Sequence, residues 1–249
     1  MHLISGMHRS GTSLVARLFY EAGVDMGDPA NFYRPDMWNP DGYFEQPDIH
    51  AINMPLINGM FWKFSYFFLP STKTILRRAK PKAKLIRETA AKYDNKLVKE
   101  TRFCLTLPAW LEQGTHIERI LVCLREPVAV ARSIQKRNHT FLAHSFYMWE
   151  LHNRRLQENS VNIPKWYINY HRLLNPETQF EEFRNAVAFM GYEIEDQKIK
   201  TLLKTVVKPG MNHNPQEDYP YPRYVRELWN ELLDKHTNQV LDTSVEVES

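Results

Sequence analysis

The chain has 249 residues, 43% of them hydrophobic and 24% charged, with a formal net charge of +3; that length suits one α/β domain with insertions and a sizeable core. The mild positive balance fits an anionic small-molecule ligand and excludes the strong charge asymmetry of a nucleic-acid binder, and no apolar run is long enough for a membrane span. The two cysteines, Cys104 and Cys123, lie in apolar surroundings and read as buried small hydrophobes of a reducing compartment, not as a disulfide frame or metal site.

His2-Leu3-Ile4-Ser5 reads as a strand at the start of the chain, with no room before it for a signal peptide, so a soluble cytoplasmic protein is expected. Gly6-Met7-His8-Arg9-Ser10-Gly11-Thr12-Ser13 follows with the GxxxxG spacing of a phosphate-binding loop, and Leu14 to Phe19 repeats apolar residues at helical spacing. A strand, a tight loop and a helix N-terminus form an anion site, because the loop N–H groups point at the ligand and the helix dipole adds partial positive charge. Thr12 stands where a nucleotide triphosphatase carries the lysine that holds a transferable γ-phosphate. Arg9, Ser10, Gly11, Thr12 and Ser13 suit instead a 5′-phosphate bearing a different transferable group.

Residues 24–47, with Pro29, Pro35, Pro40 and Pro47, read as a long ordered loop over the carboxyl edge of the sheet. A short helix over 48–60 leads to the aromatic run Phe61 to Leu69, which reads either as lining of an acceptor pocket or as satellite core beneath the insertion. Residues 71–95 are helical with an interruption at Pro81 and carry Lys73, Arg77, Arg78, Lys80, Lys82, Lys84 and Arg87; a solvated basic face is the default, a lid or a contact for an acidic acceptor the alternatives. Lys96-Leu97-Val98 is a short strand that delivers Lys99 to the sheet edge.

Further along, Ile120 to Leu124 is a continuous apolar run, the pattern of a strand buried on both faces, and it ends in Arg125-Glu126-Pro127. Pro127 with its neighbouring glutamate opens a helix. Ser133 and Arg137, four apart, share a face of that helix while Arg125 stands at the strand's end, so three donors can converge on one anion. Helices are expected near 104–113, 126–138, 140–160, 177–190, 195–205 and 223–236, with a strand at 165–170. Strands alternating with helices imply an α/β fold with a central, mostly parallel sheet and ligands beyond its carboxyl ends. The expected organisation is one domain over 1–238, with the 24–95 insertion shaping the acceptor site and a polar tail at 239–249.

The Arg9-Ser10-Gly11-Thr12 loop resembles the first loop of the sulfotransferases that use 3′-phosphoadenosine 5′-phosphosulfate, in particular their bacterial and Golgi-type members, and Arg125, Pro127 and Ser133 match that family's RxPxxxxxS pattern, with Arg137 at a position some members share. Asn39-Pro40-Asp41-Gly42-Tyr43-Phe44-Glu45 resembles their NPEGYFE segment. Lys99-Glu100-Thr101-Arg102 resembles KDPR, departing at Glu100 and Thr101, and Tyr167 to Leu174 resembles the strand and turn that include YEDLL, with His171 in place of the acid. The resemblance implies a single P-loop-like domain, a 3′-phosphate held by Arg125, Ser133 and Arg137, and an adenosine beside Tyr170; the 206–222 loop is read separately as one that closes over the cofactor, with Lys208 reaching the 3′-phosphate.

Sulfuryl transfer then rests on positioning and charge stabilisation, with adenosine 3′,5′-bisphosphate as product. No dedicated metal ligands are evident: His50, His139 and His144 lack the spacing of a metal site and read as structural or surface residues. Arg9 and Lys99 are the expected contacts to the sulfonate and bridging oxygen. Glu45 is the expected general base, with His8 the second choice. The expected acceptor is a hydroxyl of a small metabolite, natural product or sugar, with an amine second; the chain is expected to be a monomer or homodimer without a nucleic-acid partner. Two other classes remain: a small-molecule or nucleotide kinase, disfavoured by Thr12 and by the lack of an evident magnesium-binding aspartate, and a non-catalytic nucleotide-binding module.

Overall fold

The structure, a computed structural model, describes residues 1–37, 39, 41–58, 69–208 and 220–247, the last seven of these by backbone alone. Four parallel strands, β1 (His2–Ser5), β2 (Leu97–Lys99), β3 (Arg119–Leu124) and β4 (Lys165–Asn169), form a sheet in the order β2-β1-β3-β4. His2 is in register with both Leu97 and Arg119, and Ile120 with Lys165.

Alternation along each strand sends side chains into two cores, one on each face. Leu3, Val98, Ile120, Val122 and Leu124 join one; Ile4, Leu97, Leu121, Cys123 and Ile168 join the other. The first core is closed by α2 (Pro47–Asn58), α3 (Thr72–Ala79), α5 (Phe103–Glu112), α6 (Pro127–Asn138), α7 (Leu142–Asn159) and α11 (Arg223–Val247), the second by α1 (Thr12–Glu21), α9 (Gln179–Phe189) and α10 (Asp196–Val206). Trp110 on α5 and Trp149 on α7 are fully buried, and the Trp110 indole N–H donates to Asn53 Oδ1 at 2.8 Å, which docks α5 on α2. Burying an indole without that acceptor would cost the desolvation of its N–H.

Three expected boundaries move. The basic segment divides into α3, a 3-10 turn at Lys80–Lys82 and α4 (Ala83–Lys92), because Pro81 has no N–H for a helical bond. Tyr170 leaves the fourth strand and opens a short helix, α8 (Tyr170–Leu174), whose first amides are capped by the Asn169 side chain. The helix expected at 223–236 continues to Val247 and takes in most of the stretch read as a polar tail. Val225, Leu228, Trp229 and Leu232 bury one stripe of it, and Gln239, beyond the expected end, exchanges bonds with the Tyr167 backbone on edge strand β4. No helix among the described residues is long and apolar enough to cross a membrane. The aromatic residues 61–68 and the loop residues 209–219 lie outside the described residues.

Candidate active site

Every strand ends at the same edge of the sheet, and the candidate residues follow those ends directly: Gly6 to Ser13 after β1, Glu100 to Arg102 after Lys99 of β2, Arg125 after β3 and Tyr170 after β4. The loop after β1 depends on two close approaches. At Gly6, with φ of 144°, a Cβ would lie 2.7 Å from the Cys123 carbonyl oxygen. At Gly11, with φ of 89°, it would lie 2.2 Å from Cδ2 of Tyr170. Glycine admits both the conformation and the contact. Arg9 adopts a positive φ of 71° without being glycine, a local strain that the surrounding contacts must hold. Helix α1 starts with neither a side-chain cap nor an acidic residue in its first turn, which leaves its amides for an outside acceptor.

The structure places Arg9, Arg125, Ser133 and Arg137 near one another, Arg9 joining the three residues expected to converge. Arg9 Nε donates to Ser133 Oγ at 2.8 Å, Arg125 Nη1 donates to the Arg9 carbonyl at 3.0 Å, and the Arg125 guanidinium stacks 4.5 Å above the Tyr170 ring. Arg137 Nη2 donates to the Tyr43 hydroxyl at 3.4 Å. Burial lowers the Arg9 pKa, and the charges of Arg137 and Arg125 lower it further. Three guanidiniums that repel one another beside free helix amides fit a multiply charged anion, which would relieve that repulsion. Ser10 and Thr12 are buried in the loop, and Ser13 Oγ accepts from Asn39 Nδ2 at 3.1 Å, so the Asn39–Glu45 segment is tied to the loop. Lys208 stands 3.8 Å from Asp41, which also holds Arg17 at 2.6 Å. A role at a 3′-phosphate would require Lys208 to leave that carboxylate.

A second charged group surrounds Lys99. Its ammonium meets Glu45 Oε1 at 2.5 Å, both side chains being buried; Arg102 Nη1 reaches Glu45 Oε2 at 3.3 Å and Glu100 Oε1 at 2.7 Å. Burial pushes the Glu45 carboxyl up, but Lys99 and Arg102 outweigh it and hold the pKa below its usual value. Glu100 goes the other way: burial and the Glu45 charge raise it against the pull of Arg102. Gln46 and Asp48, bonded to the Tyr93 hydroxyl at 3.1 Å and 2.8 Å, and the Phe44 ring, packed against Phe32 and Tyr20, fix Glu45 from either side.

His8 joins the two groups. One of its ring nitrogens, Nδ1, lies 2.9 Å from Thr101 Oγ1, and burial, followed by the charges of Arg102, His152, Lys99 and Arg137, holds it well below its ordinary pKa and therefore neutral. The sequence had no signal for Glu100, which it marks only as a departure from a pattern, nor for His50, whose ring stands 4.7 Å from that of Tyr33 and whose pKa burial lowers to about 4. A separate groove of about 510 Å³, lined by Arg184, Val187, Tyr192 and Ile199 among others, contains none of these residues.

No family profile matches the chain, and no curated protein sequence matches it significantly. Solved structures do. The sulfotransferase domain from the Synechococcus PCC 7002 olefin synthase is 13% identical over 94% of this chain and 94% of its own, with a TM-score of 0.53. The sulfotransferase domain from the curacin biosynthetic pathway is 13% identical over 93% of this chain and 96% of its own, with a TM-score of 0.51. At that identity the likeness is one of fold: this chain has the α/β fold of sulfotransferase domains. The resemblance read from its motifs and the likeness of its backbone agree.

Proposed function

We propose that the protein is a sulfotransferase that moves the sulfuryl group of 3′-phosphoadenosine 5′-phosphosulfate to a hydroxyl, or less readily an amine, of a small metabolite, natural product or sugar. The observation that carries this reading is the meeting of Arg9 with Ser133 at 2.8 Å, which brings the loop after β1 and the Arg125–Ser133 motif, far apart in sequence, onto one anion-binding surface. When bound, the donor supplies the sulfuryl group and a phosphate leaving group. Arg125, Ser133 and Arg137 hold the 3′-phosphate. The loop amides with Ser10, Thr12 and Ser13 hold the 5′-phosphate, and Tyr170, backed by Arg125, supports the adenosine.

Arg9 and Lys99 neutralise charge on the transferring group and the departing oxygen, without a metal. In the free protein Lys99 is engaged by Glu45. An anion beside Lys99 draws the ammonium away, and the carboxylate so released gains basicity and takes the acceptor's proton. His8, neutral, is the second candidate base.

Calorimetric titration with adenosine 3′,5′-bisphosphate, beside ATP and AMP without magnesium, tests the reading. Binding of the bisphosphate in preference to both, lost in Arg125→Ala, is expected. A preference for ATP would return the chain to the kinase class, and no nucleotide binding would remove the proposed donor.

A further inference from the structure

Glu45, His50 and Glu100 each turn one ligand-type atom toward the others, and these three atoms lie within 4.8 Å of one another. They come from different parts of the fold: the segment before α2, the first turns of α2, and the loop after β2. Glu100 is 1% exposed, and its Oε2 is buried without a hydrogen-bond partner among the described residues; His50 Nδ1 is likewise buried and unpartnered. Buried polar atoms in native proteins are nearly always satisfied, and an unpartnered buried atom on each of His50 and Glu100, in a group that includes a further carboxylate, calls for a missing partner. All three groups can supply a lone pair; a cation there would satisfy Glu100 and His50 and would share Glu45 with Lys99 and Arg102, which already pair with its two oxygens.

We infer that Glu45, His50 and Glu100 form a binding site for a divalent transition metal, with zinc the best fit. One imidazole and two carboxylates suit zinc better than calcium or magnesium, which take oxygen-only sets. Arg102 occupies the position of an outer partner, donating to Glu45 Oε2 and Glu100 Oε1 and leaving Glu100 Oε2 to the metal; ligating carboxylates are commonly oriented by such bonds. Bonds of about 2.0–2.2 Å put tetrahedral ligand atoms roughly 3.4 Å apart, so metal uptake draws the three atoms closer. Bound there, zinc would pin α2 and the Glu45 segment to the end of β2. The site shares Glu45 with the proposed transfer reaction, so zinc held there and Glu45 acting as base exclude one another.

Untagged full-length protein, stripped with a chelator, is titrated with zinc chloride by calorimetry and with cobalt chloride by visible absorption. The expected result is one equivalent of zinc bound, a rise in Tm, and a cobalt spectrum without a thiolate band. His50→Ala and Glu100→Gln, each verified as folded by circular dichroism, weaken zinc binding at least tenfold. Failure of the wild type to take up zinc stoichiometrically overturns the site, as does an affinity unchanged in both variants. The wild-type arm decides by itself if the variants do not fold.

Discussion

Gly11 and Tyr170 touch across the centre of the sheet's carboxyl edge: a Cβ on Gly11 would penetrate to 2.2 Å from Tyr170 Cδ2, and the backbone there already has φ of 89°. Gly11→Ala must therefore push the ring aside and accept a left-handed alanine, at about 1–2 kcal/mol for the conformation before the contact is counted. Bisphosphate binding should fall and the melting temperature should drop. In the double variant with Tyr170→Ala, part of the stability should return while binding does not. A Gly11→Ala protein with unaltered stability and affinity would remove this contact from the design of the loop.

Ser133 accepts from Arg9 and so joins the two halves of the proposed anion site. Ser133→Ala leaves the arginines in place but removes one bond from the Arg9 side chain, so affinity for the bisphosphate should weaken about tenfold, the value of one hydrogen bond to a charged group. Titration against the wild type at fixed salt checks it; equal affinities would place Ser133 outside the site.

On the proposed mechanism the Lys99–Glu45 pair bears on both chemistry and stability. Glu45→Gln should reduce turnover by about 10²–10⁴-fold with bisphosphate affinity near that of the wild type. Lys99→Ala should be the more damaging to the fold, by about 3–5 kcal/mol, because it strips a partner from a buried carboxylate. Single-turnover sulfation assays and urea unfolding separate the two effects. Unchanged turnover in Glu45→Gln would pass the role of base to His8.

His152 predicts an acid weakness. Burial, with the Arg155 charge adding to it, lowers its pKa to about 4 against the Met148 carbonyl bond to Nδ1. The unfolded chain takes up a proton near pH 6.5 that the folded chain refuses, so this stability is present above pH 6.5 and drains as pH falls towards 4. Between pH 7 and pH 5 the contribution is about 2 kcal/mol. His152→Gln should lose correspondingly less stability between urea melts at those two pH values; an identical loss would show the proton is taken up elsewhere.

His236 fastens the last helix to the site's support. Its Nε2 lies 2.9 Å from Glu182 Oε1, and Glu182 also accepts from the Asn169 amide and from Arg172 Nε. Asn169 in turn caps α8, where Tyr170 begins. His236→Ala should cost roughly 1–3 kcal/mol in unfolding experiments, the penalty for a broken buried hydrogen bond, with a smaller loss of bisphosphate affinity. A neutral substitution would mean α11 is held by its apolar stripe alone.

The strand, loop and helix around Gly6–Ser13 were legible because glycine spacing and periodicity are local signals, and the Arg125–Ser133 motif was legible because a strand end and a helix start are each marked by sequence. The partners of Lys99 were less so. Glu45, Glu100 and Arg102 acquire their roles by burial against one another, and nothing in a loop glutamate's neighbours along the chain indicates whether it faces solvent. Glu100 follows a three-residue strand too short to show alternation. The continuation of α11 past residue 236 was obscured for a similar reason: its polar composition looks like a frayed end until Gln239 is seen to bond the backbone of Tyr167.

Because β1 lies between β2 and β3, and each strand end contributes a different anchor, the joining of these local pieces into one site depends on long-range contacts. Such contacts form late, after the loops between them have closed. On the proposed function, nucleotide affinity reports the completed sheet, so recovery of binding during refolding should follow the pairing of β1 with β2 and β3.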